Sequence, residues 1–461
     1  MTSARPSKTA RTAPVETVAD LAAWFQRGAK PKAEWRIGCE HEKLGMQADA
    51  LAPLPYGGAH GIRAMLEGLQ QFGWTPILED GHVIALTRPQ ALGGGEVSLE
   101  PGGQLEYSGP PHANLHETAR DGEAHLKEVR QVAQKLGQRY LALGYMPFWK
   151  SAEGEAMPKS RYRIMGQFLA DKGARSRDMM FLSAAAQVSL DYGSEADMVQ
   201  KMRTALALQP LATALFANSP FRDGKPGGEL SARSLAWTDI DSARTGLLPF
   251  VFGEGFGFAA YTEWALDVPM CFLRRGGAYV DVSGQNFRDF LRGALPALPG
   301  EKPTMQDWKD HLSVIFPEVR LKQVLEMRGA DTGPLPMLWA LAAFWVGLFY
   351  HQPSLDAASA LVADWSVADL QALRLAAPKQ ALRAAIGGRS LQDLAQQILP
   401  LAAAGLRARA ARSADAEDET VYLEPLMQIA QHGRSRAEDW LEAYRTEWGK
   451  SLTPLLTHTR L

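Results

Sequence analysis

An α+β fold with a mostly antiparallel sheet is what the sequence predicts. Segments with the two-residue period of half-buried strands recur as far as residue 327, and long stretches of helical periodicity separate them. Glycine turns join several of these strands, which is the signature of hairpins rather than crossovers. From Ser354 onward the strand signals stop, and Ala, Leu, Arg and Gln dominate a helical end.

A short helix at 18–27 leads into residues 34–46, where Trp35, Ile37 and Cys39 alternate with Arg36, Glu40 and Glu42. That alternation puts acids on the polar face of a strand. Further strands are expected at 83–86, at 97–107 with a break at Pro101-Gly102-Gly103, at 180–190, at 270–282 with a Gly276-Gly277 turn, and at 319–327. Helices are expected at 115–143, at 194–208 with Ser194 as N-cap, and at 336–350. The helical end reads as 367–376, 391–411, 424–431 and 435–448, with the charged stretch 407–419 as an exposed loop. The chain thus divides into a disordered leader (1–15), a catalytic α+β domain (16–353) and a helical C-terminal region packed on it (354–461).

Composition excludes several function classes. The 461 residues carry 49 Lys and Arg against 51 Asp and Glu, a formal net charge of −2, and no basic run, so no nucleic-acid partner is expected. Two cysteines, Cys39 and Cys271, can build neither a disulfide scaffold nor a four-thiolate metal site, and the expected compartment is a reducing one, the cytoplasm. The most apolar stretch, 338–350, is shorter than the roughly 20 residues that span a bilayer, so no membrane partner is expected. Residues 1–15 are basic but lack the apolar core of a secretory signal.

The chemistry-bearing residues fall in separate segments. Glu40 and Glu42 share one strand face, where two adjacent carboxylates repel each other unless they are solvated or shared with a divalent cation. Glu96, Glu100 and Glu106 flank the Pro-Gly-Gly break, whose glycines allow a turn tight enough to aim Glu100 and Glu106 at one point, or a plain hairpin with solvated acids. Glu326 and Arg328 share a face of the last strand, either as a structural ion pair or as a metal ligand beside a planar phosphate-binding fork. Arg161, Arg163 and Arg233 can hold the carboxylates of a small substrate. There is no phosphate-binding Gly-Lys-Ser/Thr loop, no dinucleotide fingerprint and no paired zinc histidines; a hard, oxygen-ligated ion such as Mg²⁺ suits the inventory.

Together these segments resemble a known family. Ile37-Gly38-Cys39-Glu40-His41-Glu42-Lys43, Ser98-Leu99-Glu100-Pro101-Gly102-Gly103-Gln104-Leu105-Glu106-Tyr107, Met157-Pro158-Lys159-Ser160-Arg161-Tyr162 and Phe316-Pro317-Glu318-Val319-Arg320 through Arg328-Gly329-Ala330-Asp331 are similar to the plant and proteobacterial type of glutamate–cysteine ligase. So are Ala217-Asn218-Ser219-Pro220-Phe221, Thr245-Gly246-Leu247-Leu248-Pro249-Phe250 and Ala265-Leu266-Asp267-Val268-Pro269-Met270, and the likeness runs from about residue 35 to 448. The resemblance implies a glutamine synthetase-like catalytic domain with a curved sheet. It implies ATP-dependent ligation of the L-glutamate γ-carboxylate to the L-cysteine amine through γ-glutamyl phosphate, the first step of glutathione biosynthesis. A related ligase using a different amine is the alternative.

By resemblance, Glu40, Glu42, Glu100, Glu106 and Glu326 are Mg²⁺ ligands, with Gln187 as a further candidate. Arg328 acts on the transferring phosphoryl group, and Arg161 and Arg233 hold glutamate and phosphate. Cys271 stands where plant members carry a Tyr near the cysteine pocket, Cys39 replaces a Thr, and Arg163 replaces an acid. Ala119, Val282, Ala297 and Trp339 occupy the positions of the plant regulatory cysteines, so a disulfide switch of that kind is not expected. The implied partners are ATP, L-glutamate and L-cysteine; the oligomeric state is open.

Overall fold

The computed structural model describes residues 14–461. Most of the expected leader therefore lies outside the described residues; at its end, Pro14 bridges Thr304 and the Val15 N–H donates to the Pro303 carbonyl.

A nine-stranded sheet organises the fold: β1 (Ile37–Gln47), β2 (Thr75–Glu79), β3 (His82–Thr87), β4 (Glu96–Leu99), β5 (Leu105–Ser108), β6 (Gln138–Leu141), β7 (Ala185–Leu190), β8 (Val319–Leu321) and β9 (Leu325–Asp331). The order is β8-β9-β7-β1-β5-β4-β3-β2, with β6 pairing the second half of β1, and every pair is antiparallel. The alternating pattern of β1 has the expected result: one face polar, the other buried.

Ile37, Ala186, Val188 and Met327 on the buried face join Leu338 and Leu341 in the largest core cluster, while Val97, Leu99, Leu105 and Tyr107 pack with Leu126 and Val129 in another. The covering helices are Leu115–Leu136 and Leu335–Phe349. The second is apolar all round because it is enclosed all round, by the sheet on one side and the Leu391–Arg409 helix on the other. Gly347 and Gly405 let those two helices touch, since a Cβ on Gly405 would overlap the Gly347 carbonyl. Among the described residues no helix is long and apolar enough to cross a membrane.

Several expected boundaries are corrected. The helix expected at 115–143 stops at Leu136, where Gly137 caps it with φ of +62°, and the next four residues form β6. Residues 176–182 are helical, so the strand expected from 180 begins only at Ala185. The run at 319–327 is two strands of a hairpin. The helix expected to end at 208 continues past Pro210 to Leu215, carried by burial of nearly every side chain in its second half. The stretch read as an exposed loop at 407–419 ends in Glu419, which is fully buried: its carboxylate accepts from the Leu115 N–H (2.7 Å) and pairs with Arg409 (3.0 Å).

Candidate active site

The polar face of the sheet gathers the acids that the sequence holds apart. Glu42 lies opposite Glu106 across β1 and β5, and Glu40 lies opposite Gln187 across β1 and β7. Glu326 lies opposite Ser189, two residues along β7 from Gln187 and hence on the same face. Glu100 reaches this group through the β4–β5 turn, where its own N–H donates to the Gln104 carbonyl and its carbonyl accepts from the Gly103 N–H, each at 2.9 Å. Gly103 holds a φ of +84°, and a Cβ on Gly102 would overlap the Phe181 backbone. The Tyr162 hydroxyl fixes the Glu100 carboxylate at 3.1 Å, while Lys159 donates to the Leu99 carbonyl at 2.6 Å.

Burial, and then crowding, perturbs Glu40, Glu42 and Glu106. Burial first, then Glu326 and Glu106, push Glu40 up to about 7. Burial and Glu100 likewise raise Glu106 to about 7, and burial with Glu106 and Glu100 carries Glu42 well above the carboxylate range.

Glu326 is the exception. It has no exposed surface, and burial alone would raise its pKa, but Arg320 (2.6 Å), Lys322 (3.0 Å) and Arg328 (3.1 Å) surround it and hold it well below the usual range. Gln187 joins the acidic and cationic halves: its Oε1 accepts from Arg328 (2.7 Å) and its Nε2 donates to Glu42 (2.9 Å). A bulge between Met327 and Ala330 turns Arg328 towards Gln187.

Arg233 sits in the short helix Ala232–Ala236, capped by Ser231, and donates through Nη2 to the Arg328 carbonyl at 2.7 Å. Burial lowers its pKa without changing its charge. Arg161 stands over the rings of Tyr162 (5.7 Å) and Phe272 (5.3 Å), on the Glu100 side. Cys271 is buried and accepts from Arg244 at 3.4 Å, and it does not line the cleft of Arg233. Arg163 is exposed.

Several participants were not singled out from the sequence. Arg320 and Lys322 alternate on β8 and its turn with the same period that pairs Glu326 with Arg328, and that signal was readable. Trp237, Glu318 and Arg374 line a cleft beside Arg328, and no local pattern announces them.

Among the described residues, no group of three His, Cys, Asp or Glu side chains is already closed into a metal cage. Mg²⁺ is commonly held by one or two carboxylates plus substrate phosphates, so a row of repelling, half-buried carboxylates on one sheet face fits it better than a closed cage would. Glu326 would reach such an ion only by giving up part of its ion pairing.

A family model described as glutamate-cysteine ligase family 2 matches residues 36–458. The chain is 46% identical over 440 residues to glutamate–cysteine ligase B of Oryza sativa subsp. japonica, covering 95% of this chain and 86% of that one. It is 45% identical over 437 residues to the Arabidopsis thaliana enzyme, covering 95% and 81%. In fold it is similar to the crystal structure of a glutamate–cysteine ligase from Francisella tularensis in complex with AMP, with a TM-score of 0.52, 10% identity, and 90% and 85% of the two chains covered. These relatives overturn the cytoplasmic expectation, because the plant enzymes are named as chloroplastic. Sparse cysteine use speaks only for a reducing compartment and does not tell one from another.

Proposed function

The chain belongs to glutamate-cysteine ligase family 2, and from that premise we propose how its cleft joins the γ-carboxylate of L-glutamate to the amine of L-cysteine with ATP. One observation carries the proposal: a row of mutually repelling carboxylates and a cluster of arginines and lysine share one sheet face, bridged by Gln187.

The difficulty of the reaction is the meeting of two anions. The γ-phosphate of ATP must approach a carboxylate, so charge has to be neutralised and the groups held in line. Glu40, Glu42, Glu100 and Glu106 would hold Mg²⁺, with Glu326 and Gln187 at the border of that set; the metal would supply charge neutralisation on the phosphate oxygens. Arg328, already aimed across the face by Glu326 and Gln187, stabilises the charge on the transferring phosphoryl group. Arg161, above the Glu100 side, meets phosphate, and Arg233 holds the glutamate.

The product of that transfer, γ-glutamyl phosphate, is a mixed anhydride that the cysteine amine attacks. The new C–N bond forms as phosphate leaves, and the amine loses a proton. Water must be kept away from the anhydride in the meantime, and the deep setting of Arg233, 3% exposed, supplies an enclosed wall. The test is Arg328→Ala: glutamate-dependent ADP formation should fall by about 100-fold or more, and near-normal turnover would remove Arg328 from this role.

A further inference from the structure

Behind the acid face, the sheet leaves a cleft with about 440 Å³ of free space against the helices Leu115–Leu136 and Leu335–Phe349. Cys39 and His41 line it from β1, because they alternate with Glu40 and Glu42 and so take the opposite face. Ala186 and Val188 of β7 flank Gln187 in the same way, and Leu338 and Leu341 cover them from the helix. His112 and Asp121, with side chains 21% and 18% exposed, form the mouth. There His112 Nε2 stands 3.4 Å from Asp121 Oδ2, and the Tyr107 hydroxyl donates to the same oxygen at 2.5 Å.

Two polar atoms of this lining are shielded from solvent and have no hydrogen-bond partner, Nε1 of Trp339 and Nε2 of His41. Both residues are 7% exposed. An indole N–H can only donate, so Trp339 lacks an acceptor that the protein does not supply, and leaving such a donor unmet is costly. The edge of its ring rests on Gly122, where a Cβ would overlap it.

Water answers a buried donor where several polar groups converge. Here the surrounding walls are aliphatic, so an occupant with an apolar body gains more from the cleft than water does. No Lys or Arg lines the space, and the histidine at the mouth already faces Asp121, so an anion would enter without a counter-charge.

We propose that this cleft binds a small uncharged molecule with an apolar body and one carbonyl-type acceptor, held by the Trp339 N–H. The His41 nitrogen, which donates or accepts according to its tautomer, meets a second polar group on the same molecule. The site lies across the sheet from the ligase chemistry and does not depend on that reading. Its occupant packs behind the two paired strands that carry Glu40 and Gln187.

The probe is benzamide, one ring with one uncharged amide, titrated into the purified protein by calorimetry. Saturable binding is expected. Trp339→Phe keeps an aromatic ring and deletes the donor, and it should weaken benzamide about fivefold, as for loss of a neutral hydrogen bond. Toluene, which has the ring without the acceptor, should bind the unaltered protein and Trp339→Phe alike. Cys39→Leu fills the cleft with a branched side chain and should abolish benzamide binding, so it reads the same site even if Trp339→Phe does not fold. Absence of saturable binding to the folded protein, unchanged benzamide affinity in folded Trp339→Phe, or full binding by folded Cys39→Leu overturns the proposal.

Discussion

Glu326 holds together three cations that would otherwise repel one another, and this makes it unlike the other acids of the face. Removing its charge by Glu326→Gln should cost about 3 kcal/mol or more of stability as well as turnover, since Arg320 and Arg328 would be left buried beside a neutral group. Arg328→Lys is the cleaner probe, expected to lower kcat about 100-fold with a small change in Tm. Chemical denaturation of both variants alongside kinetics separates the two effects; equal stabilities would contradict the ion-pair account of Glu326.

The remaining acids make a prediction about pH. Glu40 and Glu106 ionise near 7 in the folded chain against an ordinary value of 4.5. Between those values the folded state binds more protons than the unfolded one, so stability falls as pH rises through that window. Lys43, buried and lowered to about 7, acts in the opposite sense only above it. Mg²⁺ with ATP should therefore raise Tm more at about pH 8 than at about pH 5, by several degrees. An equal shift at both would argue against these carboxylates as the metal site. Of this residue-level picture, the acid pairs on β1 and flanking the glycine turn were legible, because period two and a turn motif are local facts. The pairing of Glu326 with Arg328 was open from period two, but its tighter partner Arg320 was not, because Arg320 faces Glu326 only after β8 and β9 have paired.

At the scale of elements, the site depends on close approaches at two glycines, one against backbone and one against a side-chain tip. Gly102 lies against the Phe181 backbone, and Gly329 lies against Gln209 at the bulge that turns Arg328. Gly102→Ala should cost about 1–3 kcal/mol and depress turnover more than stability, since it shifts the turn that carries Glu100; Gly329→Ala, where the Gln209 tip can move aside, should cost less and act mainly by shifting Arg328. Normal kinetics in either would show that the displacement does not reach the site. The Pro-Gly-Gly turn was visible in the sequence; the bulge was not, because it arises from pairing with β7. The strand signals survived in β1, where one face was polar, but Thr75–Glu79 was not expected and Gln138–Leu141 was read as helix. They failed at 176–182, where a short apolar helix and a buried strand have the same composition.

At the scale of the whole molecule, the C-terminal helices are part of the working structure. Leu391, Leu394, Ile398 and Leu406 share the largest core cluster with Val188 and Met327 of the sheet, and the chain ends by bridging Arg460 to Leu141 on β6. Deleting 354–461 should leave a chain that does not fold to a soluble form, and the intact protein should unfold in a single cooperative transition by calorimetry. A soluble, cooperatively folding fragment ending at residue 353 would contradict this. The change of composition at Ser354 is legible in the sequence, and the residues beyond it are mostly helical apart from the short hairpin Ala385–Ser390, but Arg374 at the cleft could not be read from it, because no local pattern links that residue to Glu318.

The most direct measurement is ADP release by the purified protein with Mg-ATP and glutamate, with and without cysteine, alongside mass detection of the product. ADP release that requires both amino acids, with γ-glutamylcysteine formed, is the predicted result. Glutamate-dependent ADP release only with some other amine would overturn the substrate assignment while leaving the metal face standing. No turnover with any amine from well-folded protein would contradict the ligase account itself.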